Sequence, residues 1–274
     1  MRLSFRKMHG AGNDFILLDD RGGAFPCGDR LCIRALCERR TGIGSDGLIL
    51  IQASGKSDFR MRFFNPDGTE ADLCGNGARC VARFAHEIGA APADMSIETA
   101  AGNVRARVIG GNVMLDLPAP SGFSMNLELD VAGQKRLCHR VVLGVPHAVT
   151  EPADWDTIDV ARVGSALRRH PAFAPAGANV DFVRIEPDGT VRIRTFERGV
   201  EAETLACGTG IAAAAVILGR LGRVHPPVEL ECAHGDRLSV NFVLTGAGAE
   251  RVTLLGPAET VFDGAAEYTM PGPA

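Results

Sequence analysis

Two segments of this chain say the same thing twice. Leu73-Cys74-Gly75-Asn76-Gly77-Ala78 and Ala206-Cys207-Gly208-Thr209-Gly210-Ile211 each set Cys-Gly-x-Gly at the head of a run of small and apolar residues. The likeness extends upstream, where Phe59-Arg60-Met61-Arg62-Phe63-Phe64-Asn65 reads like Val191-Arg192-Ile193-Arg194-Thr195-Phe196-Glu197. Each is followed by a glycine-bearing turn, an acidic patch (Glu70 and Asp72; Glu201 and Glu203), a Leu and then the Cys, with one extra residue in the second copy. A repeat at this separation predicts two related halves. Each half is expected to deliver one cysteine to a single shared site.

The chemistry of that setting is specific. Glycines beside a cysteine let the backbone approach a ligand closely. The first amides of a helix have no partner within it and form a ready anion site. The helix dipole favours thiolate over thiol. One copy alone would read equally well as a tight turn around a buried thiol; two copies at matching positions favour chemistry. Two such helix ends on one carboxylate would stabilise the charge that develops when the neighbouring carbon loses a proton. A thiolate on one face takes the proton and a thiol on the opposite face returns one. Inversion of a stereocentre needs that arrangement, with the two cysteines in unlike protonation states.

Composition narrows the alternatives. A net charge of −4, with arginines alternating along strands instead of forming a block, gives no sign of a nucleic-acid partner. The start, Met1-Arg2-Leu3-Ser4-Phe5-Arg6-Lys7, lacks the apolar core of a signal peptide. The longest apolar run, Ile211 to Leu218, is too short to cross a membrane. A cytoplasmic protein with mostly free thiols is the expectation. The eight cysteines form no C-x-x-C, which gives a zinc site little support. Cys27, Cys32, Cys37, Cys80, Cys138 and Cys232 are expected to be structural.

The periodicity predicts helices over 29–40, 75–88, 159–169 and from Gly208 to about Leu221. In the first, Asp29 caps, Leu31, Ile33, Ala35 and Leu36 face inward, and Arg39 and Arg40 serve the C-terminal dipole. Short strands fill much of the remainder, the last over 250–255. Many short strands with one central helix per half predict an α+β protein, mostly antiparallel. Pro118-Ala119-Pro120-Ser121-Gly122 is the best linker, which divides the chain into an N-terminal lobe, 1–118, carrying Cys74 and a C-terminal lobe, 119–274, carrying Cys207.

Seven motifs, in order along nearly the whole chain, resemble the diaminopimelate epimerase family. They are Met8-His9-Gly10-x-Gly12-Asn13-Asp14-Phe15, Asn65-x-Asp67-Gly68, Cys74-Gly75-Asn76-Gly77-x-Arg79-Cys80, Gly144-x-Pro146-His147, Gly177-x-Asn179-Val180, Glu197-Arg198-Gly199 and Glu203-Thr204-x-Ala206-Cys207-Gly208-Thr209-Gly210. The resemblance implies two pseudo-symmetric lobes, each a mostly antiparallel β-barrel-like sheet wrapped around a central helix. It implies an epimerase that interconverts LL- and meso-2,6-diaminopimelate with no cofactor and no metal, on the route to lysine and peptidoglycan precursor. The partners implied are the small-molecule substrate and, usually, a second copy in a homodimer. Carried over residue by residue, Cys74 and Cys207 match the paired acid and base. The amides of Gly75 and Asn76, with those of Gly208 and Thr209, match the carboxylate cradle. Asn13 matches a substrate-contacting residue, and Asn65, Asn179 and Arg198 match groups that hold the distal end. Glu197 matches an acidic residue near the substrate amines, and His147 a histidine that supports catalysis.

This chain departs from the family pattern in three places. Some members have Gln where it has Gly47. Many have Gly-Asn-Pro-His where it has Gly144-Val145-Pro146-His147, so a side-chain hydrogen bond is missing at Val145. The segment from Glu197 to Cys207 is one residue longer than in many members. A related two-cysteine racemase or epimerase for histidine or hydroxyproline is the runner-up, against which Asn65, Asn179 and Arg198 argue. A thiol–disulfide protein pairing Cys74 with Cys207 is the alternative from a different class.

Overall fold

The computed structural model describes residues 2–246 and 248–267. It divides into two units: the chain up to Leu115 together with the residues from Gly256 onward, and Asp116–Leu255. Among the described residues the fold is mixed α+β, with four α-helices and eighteen strands.

The first unit opens with an antiparallel hairpin of β1 (Arg2–Gly10) and β2 (Asn13–Asp19), turned at Ala11-Gly12 so that Gly10 faces Asn13. Helix α1 (Arg30–Cys37) carries the chain across to β3 (Leu48–Gln52), which lies parallel to β2. A parallel pair needs such a crossover, and a helix is the usual one. β4 (Phe59–Phe64) returns antiparallel to β3, and β5 (Glu70–Ala71) folds back on the end of β4. Helix α2 (Gly75–Glu87) is the second crossover, leading to β6 (Asp94–Thr99), parallel to β4. β7 (Gly102–Ile109) and β8 (Asn112–Asp116) follow as antiparallel hairpins.

The second unit starts with β9 (Ser121–Val131) and β10 (Gln134–Leu143), then repeats the order. β11 (Val145–Thr150) pairs antiparallel with β10. Helix α3 (Val160–Arg168) crosses to β12 (Asn179–Ile185), parallel to β11. β13 (Val191–Glu197) and β14 (Ala202–Thr204) fold back antiparallel. Helix α4 (Gly208–Arg220) crosses to β15 (Val228–Glu231), parallel to β13. β16 (Arg237–Leu244) and β17 (Ala249–Pro257) complete the run.

The last strand, β18 (Glu259–Glu267), pairs along β1 from Arg2 to His9. It corrects two expectations. The chain does not close at 250–255, and a lobe of 119–274 is not one contiguous unit, because these backbone hydrogen bonds tie the C-terminal segment to the first unit. In the second unit the strand beside β10 is the preceding β9, which begins at Ser121, inside the expected linker.

The two central helices differ in composition. Helix α2 buries Gly77, Ala78, Cys80, Val81, Ala82, Phe84 and Ala85. Helix α4 is buried from Gly210 through Gly219, apolar on every side, as an interior helix must be. No helix among the described residues is long and apolar enough to cross a membrane. Helix α1 ends earlier than expected, at Cys37, and its buried positions are Cys32, Ile33, Leu36 and Cys37 while Leu31 and Ala35 are exposed. The cysteines act there as small hydrophobes. They join Phe5, Ile16, Leu48, Leu50 and Phe64 in a core where full burial of each large apolar side chain stabilises by about 1.5–3 kcal/mol. Arg39 lies beyond the helix and serves ion pairs instead of the helix dipole.

Candidate active site

The half-site of the first unit gathers at the start of α2. Cys74 is the N-cap, with φ −126° and ψ 121°, and its side chain does not cap the helix. The thiol points at Asn13, the first residue of β2, with Sγ 3.5 Å from Oδ1. Asn76 Nδ2 donates to the same oxygen at 3.4 Å. The orientation of the Asn13 amide is decided on its other side, where Nδ2 donates to Asp46 Oδ2 at 2.7 Å. A carboxylate offers only acceptors, so the amide must turn its NH₂ to Asp46 and its oxygen to Cys74. Arg39 in turn bridges Asp46 Oδ1 and Asp14 Oδ1, both at 2.7 Å, and the buried Lys7 Nζ lies 2.7 Å from Asp14 Oδ2. Burial would push the Asp14 carboxyl up, but the hydrogen bonds from Arg39 and Lys7 override it and hold the group down at about 2. Asn65 sits in the turn after β4 and donates to Thr69 Oγ1 at 3.1 Å, inside its own loop. Around Gly75 there is open space where a side chain would begin.

The half-site of the second unit gathers at the start of α4. Cys207 is again the N-cap, φ −113° and ψ 106°, and is buried. Its sulfur receives Asn179 Nδ2 at 3.9 Å and lies 3.6 Å from the Thr209 hydroxyl. The Asn179 amide is oriented by Arg198, whose backbone N–H donates to Oδ1 at 2.8 Å. The Arg198 guanidinium reaches the Ala176 carbonyl at 3.3 Å. Burial pushes the Cys207 thiol well above its ordinary value, the charges of Glu197 and Asp181 push it further, and the Thr209 hydroxyl and Gly210 amide pull it back. Burial likewise raises Glu197, at the end of β13, and the nearby Asp181 adds to the rise.

His147 lies in β11, wholly buried, with Nδ1 2.8 Å from Asp181 Oδ2. Asp181 is on β12 and also wholly buried; its Oδ1 accepts from Thr195 Oγ1 at 2.8 Å. A methyl group at Gly210, in the first turn of α4, would lie 2.3 Å from that Oδ1, so the helix can approach the carboxylate only with glycine there.

The structure thus gathers Cys74, Gly75, Asn76 and Asn13 in one unit, and Cys207, Gly208, Thr209, Asn179, Glu197 and Arg198 in the other. Sequence reasoning missed Asp181, Thr195, Asp46, Asp14, Arg39 and Lys7 as supports. One signal was present for Thr195, which aligns in the repeat with Phe63. Cys80 is fully buried and pushed up to about 12 by burial, the state of an inert thiol. All eight cysteines are free thiols. The departure at position 47 also has a cause: a methyl group at Gly47 would meet the Phe63 ring at 2.5 Å and the Phe64 carbonyl at 2.7 Å.

The family model described as Diaminopimelate epimerase matches residues 5–115 and 140–259. A diaminopimelate epimerase of Chlorobaculum tepidum is 43% identical over 261 residues, covering 94% of this chain and 98% of that protein. Among solved structures, a phenazine biosynthesis protein of the PhzF family from Bacillus anthracis superposes with a TM-score of 0.76 at 15% identity, over 98% of this chain and 100% of that one. A hydroxyproline epimerase from Agrobacterium vitis superposes with a TM-score of 0.67 at 20% identity, over 97% and 91%. At these identities the two structures speak for the fold alone.

Proposed function

The chain belongs to the diaminopimelate epimerase family, and from that premise we propose that it is an isomerase that interconverts LL- and meso-2,6-diaminopimelate by proton transfer at the α-carbon. The observation that carries the reading is the pair of cysteines, each the N-cap of a 13-residue central helix, one in each unit. In this reading the units are pseudo-symmetric lobes. Cys74 serves one face of the α-carbon and Cys207 the other. One removes the proton as thiolate while the other donates as thiol, and the roles exchange with direction. The amides of Gly75 and Asn76, and those of Gly208 and Thr209, hold the α-carboxylate. Their dipoles offset the charge that develops on it as the C–H bond breaks.

The remaining residues take the roles that the family pattern gives them. Asn13 contacts substrate near the reacting centre, and Asn65, Asn179 and Arg198 hold the distal end. Glu197 faces the amines, and His147 supports proton transfer. The chain's own groups suffice for this chemistry without an added cofactor. A homodimer and a cytoplasmic setting in lysine and peptidoglycan-precursor synthesis complete the proposal. Burial and the neighbouring Glu197 and Asp181 raise the Cys207 thiol, and in this reading a cationic substrate amine offsets the two carboxylates.

The test is incubation of the reduced protein with LL-diaminopimelate in deuterated water. The expected outcome is conversion to the meso form with α-deuterium in the product, followed by chromatography and mass spectrometry. Folded, reduced protein that neither converts the substrate nor exchanges its α-proton would defeat the proposal.

A further inference from the structure

Strand register within each unit sets up a position-by-position comparison. Phe64 pairs with Leu48, and Phe196 pairs with Val180. Since Phe64 matches Phe196 in the repeat, Ile49 corresponds to Asp181 and Phe63 to Thr195. The parallel partners then place Phe15 opposite His147 in the comparison, because Ile16 lies beside Leu48 and Ala148 beside Val180. Helix packing gives the same answer independently. A methyl group at Gly77 would meet Ile49, Met61 and Phe15, whereas one at Gly210 would meet Asp181 and Thr195.

The first unit therefore fills this layer with an apolar cluster, in which the Phe15 and Phe63 rings meet edge to face with centroids 5.9 Å apart. The second unit fills it with His147, Asp181 and Thr195. The fold does not need the polar version, since the first unit builds the same pairing order without it. Burying a carboxylate and an imidazole costs desolvation that apolar residues of similar size avoid. The cost is compounded at His147 Nε2, a buried atom with no hydrogen-bond partner. Packing alone does not account for such a cluster.

We propose that Asp181 is a positioning residue that holds His147 in the tautomer protonated on Nδ1, leaving Nε2 as a bare acceptor for the reaction. The proposal rests on the epimerase reading for its catalytic meaning, but not for its geometry. A carboxylate has no proton to offer, so the 2.8 Å contact requires the hydrogen on Nδ1. Among the described residues no acceptor lies within reach of Nε2 to take a second ring hydrogen, so we assign the single hydrogen of a neutral imidazole to Nδ1 and the lone pair to Nε2. Thr195 donates to the other carboxylate oxygen and stops Asp181 from rotating away. Gly210 lets the helix close on the same carboxylate oxygen from its other side.

The experiment reads the tautomer first. Protein labelled with ¹⁵N in its histidine rings is examined by long-range proton–nitrogen correlation, with His147 assigned by the cross-peaks that the His147→Gln variant loses. The expected wild-type pattern at neutral pH is a protonated Nδ1 and a bare Nε2. A proton on Nε2, alone or together with Nδ1, overturns the proposal whether or not the enzyme is active. This arm needs no variant at position 181 to fold. In Asp181→Asn, Thr195 still donates to the side-chain oxygen, so the amide NH₂ turns to Nδ1 and drives the proton to Nε2. The expected result is a swapped tautomer with kcat down about 10²-fold or more and KM within about threefold. Wild-type kcat in this variant overturns the proposal. If the wild type shows the expected tautomer but never acts on diaminopimelate, the positioning stands and the substrate reading fails.

Discussion

Phe15, Ile49 and Phe63 in the first unit hold the register positions of His147, Asp181 and Thr195 in the second. The same comparison sets Asn13 against Val145 and Gly47 against Asn179. Each unit thus supplies one amide to its thiol, but from different strands: Asn13 from the start of β2, Asn179 from the start of β12. The two amides also present opposite ends. Asn13 offers its oxygen to Cys74 because Asp46 holds its NH₂, and Asn179 offers its NH₂ to Cys207 because the Arg198 backbone holds its oxygen. An acceptor beside a sulfur favours the thiol and a donor favours the thiolate, but at Cys207 burial and the charges of Glu197 and Asp181 outweigh the donor and keep the thiol raised. A duplicated fold has been made chemically unequal by a few substitutions around matching cysteines.

Four experiments would break or sharpen that contrast, and the largest effect is on turnover. If the proposed two-base reaction holds, Cys74→Ala and Cys207→Ala should each lower epimerisation by about 10²–10⁴-fold, read as the LL-to-meso ratio, because in that scheme neither thiol stands in for the other across the stereocentre. If one variant kept full turnover, the two half-sites would not share a substrate. Next, Ile49→Asp copies Asp181 into the first unit without its histidine or threonine. An uncompensated buried carboxylate should cost about 3–5 kcal/mol in urea unfolding. A cost below 1 kcal/mol, as for a surface substitution, would mean that the apolar layer is not closed to water.

The third compares glycines. Gly210→Ala would press a methyl group on a fixed carboxylate oxygen at 2.3 Å, and Gly77→Ala would press one on the flexible tip of Ile49 at 2.8 Å. Overpacking of this kind costs about 1–3 kcal/mol, with the Gly210 variant at the upper end. Equal losses would mean that the Asp181 carboxylate gives way as readily as the tip of Ile49.

The fourth and smallest is a pH dependence that should run in opposite directions in the two units. Asp14 is held at about 2, below its ordinary carboxylate value. Its contribution is present above that ordinary value and lost as pH falls toward 2, to a total of about 2 kcal/mol. Cys207 is raised, so its contribution is present below the ordinary thiol value and lost as pH climbs above it. Unfolding midpoints of Asp14→Asn should therefore show less acid sensitivity than wild type, and those of Cys207→Ala less alkaline sensitivity. The same acid slope with and without Asp14 would remove the Lys7–Asp14–Arg39 network as a stabiliser.

Much of this was legible before any coordinates. The repeat placed β4 and β13, since Phe59, Met61 and Phe63 alternate with arginines as Val191, Ile193 and Thr195 do, and a half-buried strand needs that period. The positions Val160, Val163 and Leu167 in α3 and Val81, Phe84 and Ala85 in α2 are buried as their spacing requires, whereas Ile88, expected on the same face, is the C-cap of α2 and only half-buried. Helix α1 was only partly legible, because hydropathy favoured Leu31 over Cys32 and nothing local decides between two faces of an eight-residue helix. The strand β18 was missed because its residues are mostly exposed and show no clean alternation; it is held by backbone hydrogen bonds to β1.

By itself the sequence determined that two like segments exist, that each begins a helix at a cysteine, and that the family motifs run in order through nearly the whole chain. Those are local facts of spacing and residue type. Only the tertiary structure decided that the C-terminal strand returns to the first unit, that Asp46 and Arg198 turn two asparagines opposite ways, and that Asp181 lies behind His147. Each depends on groups far apart in sequence, 34 residues in the case of His147 and Asp181. Hydrogen-bond direction and burial arise from such meetings, and no pattern of nearby residues encodes them.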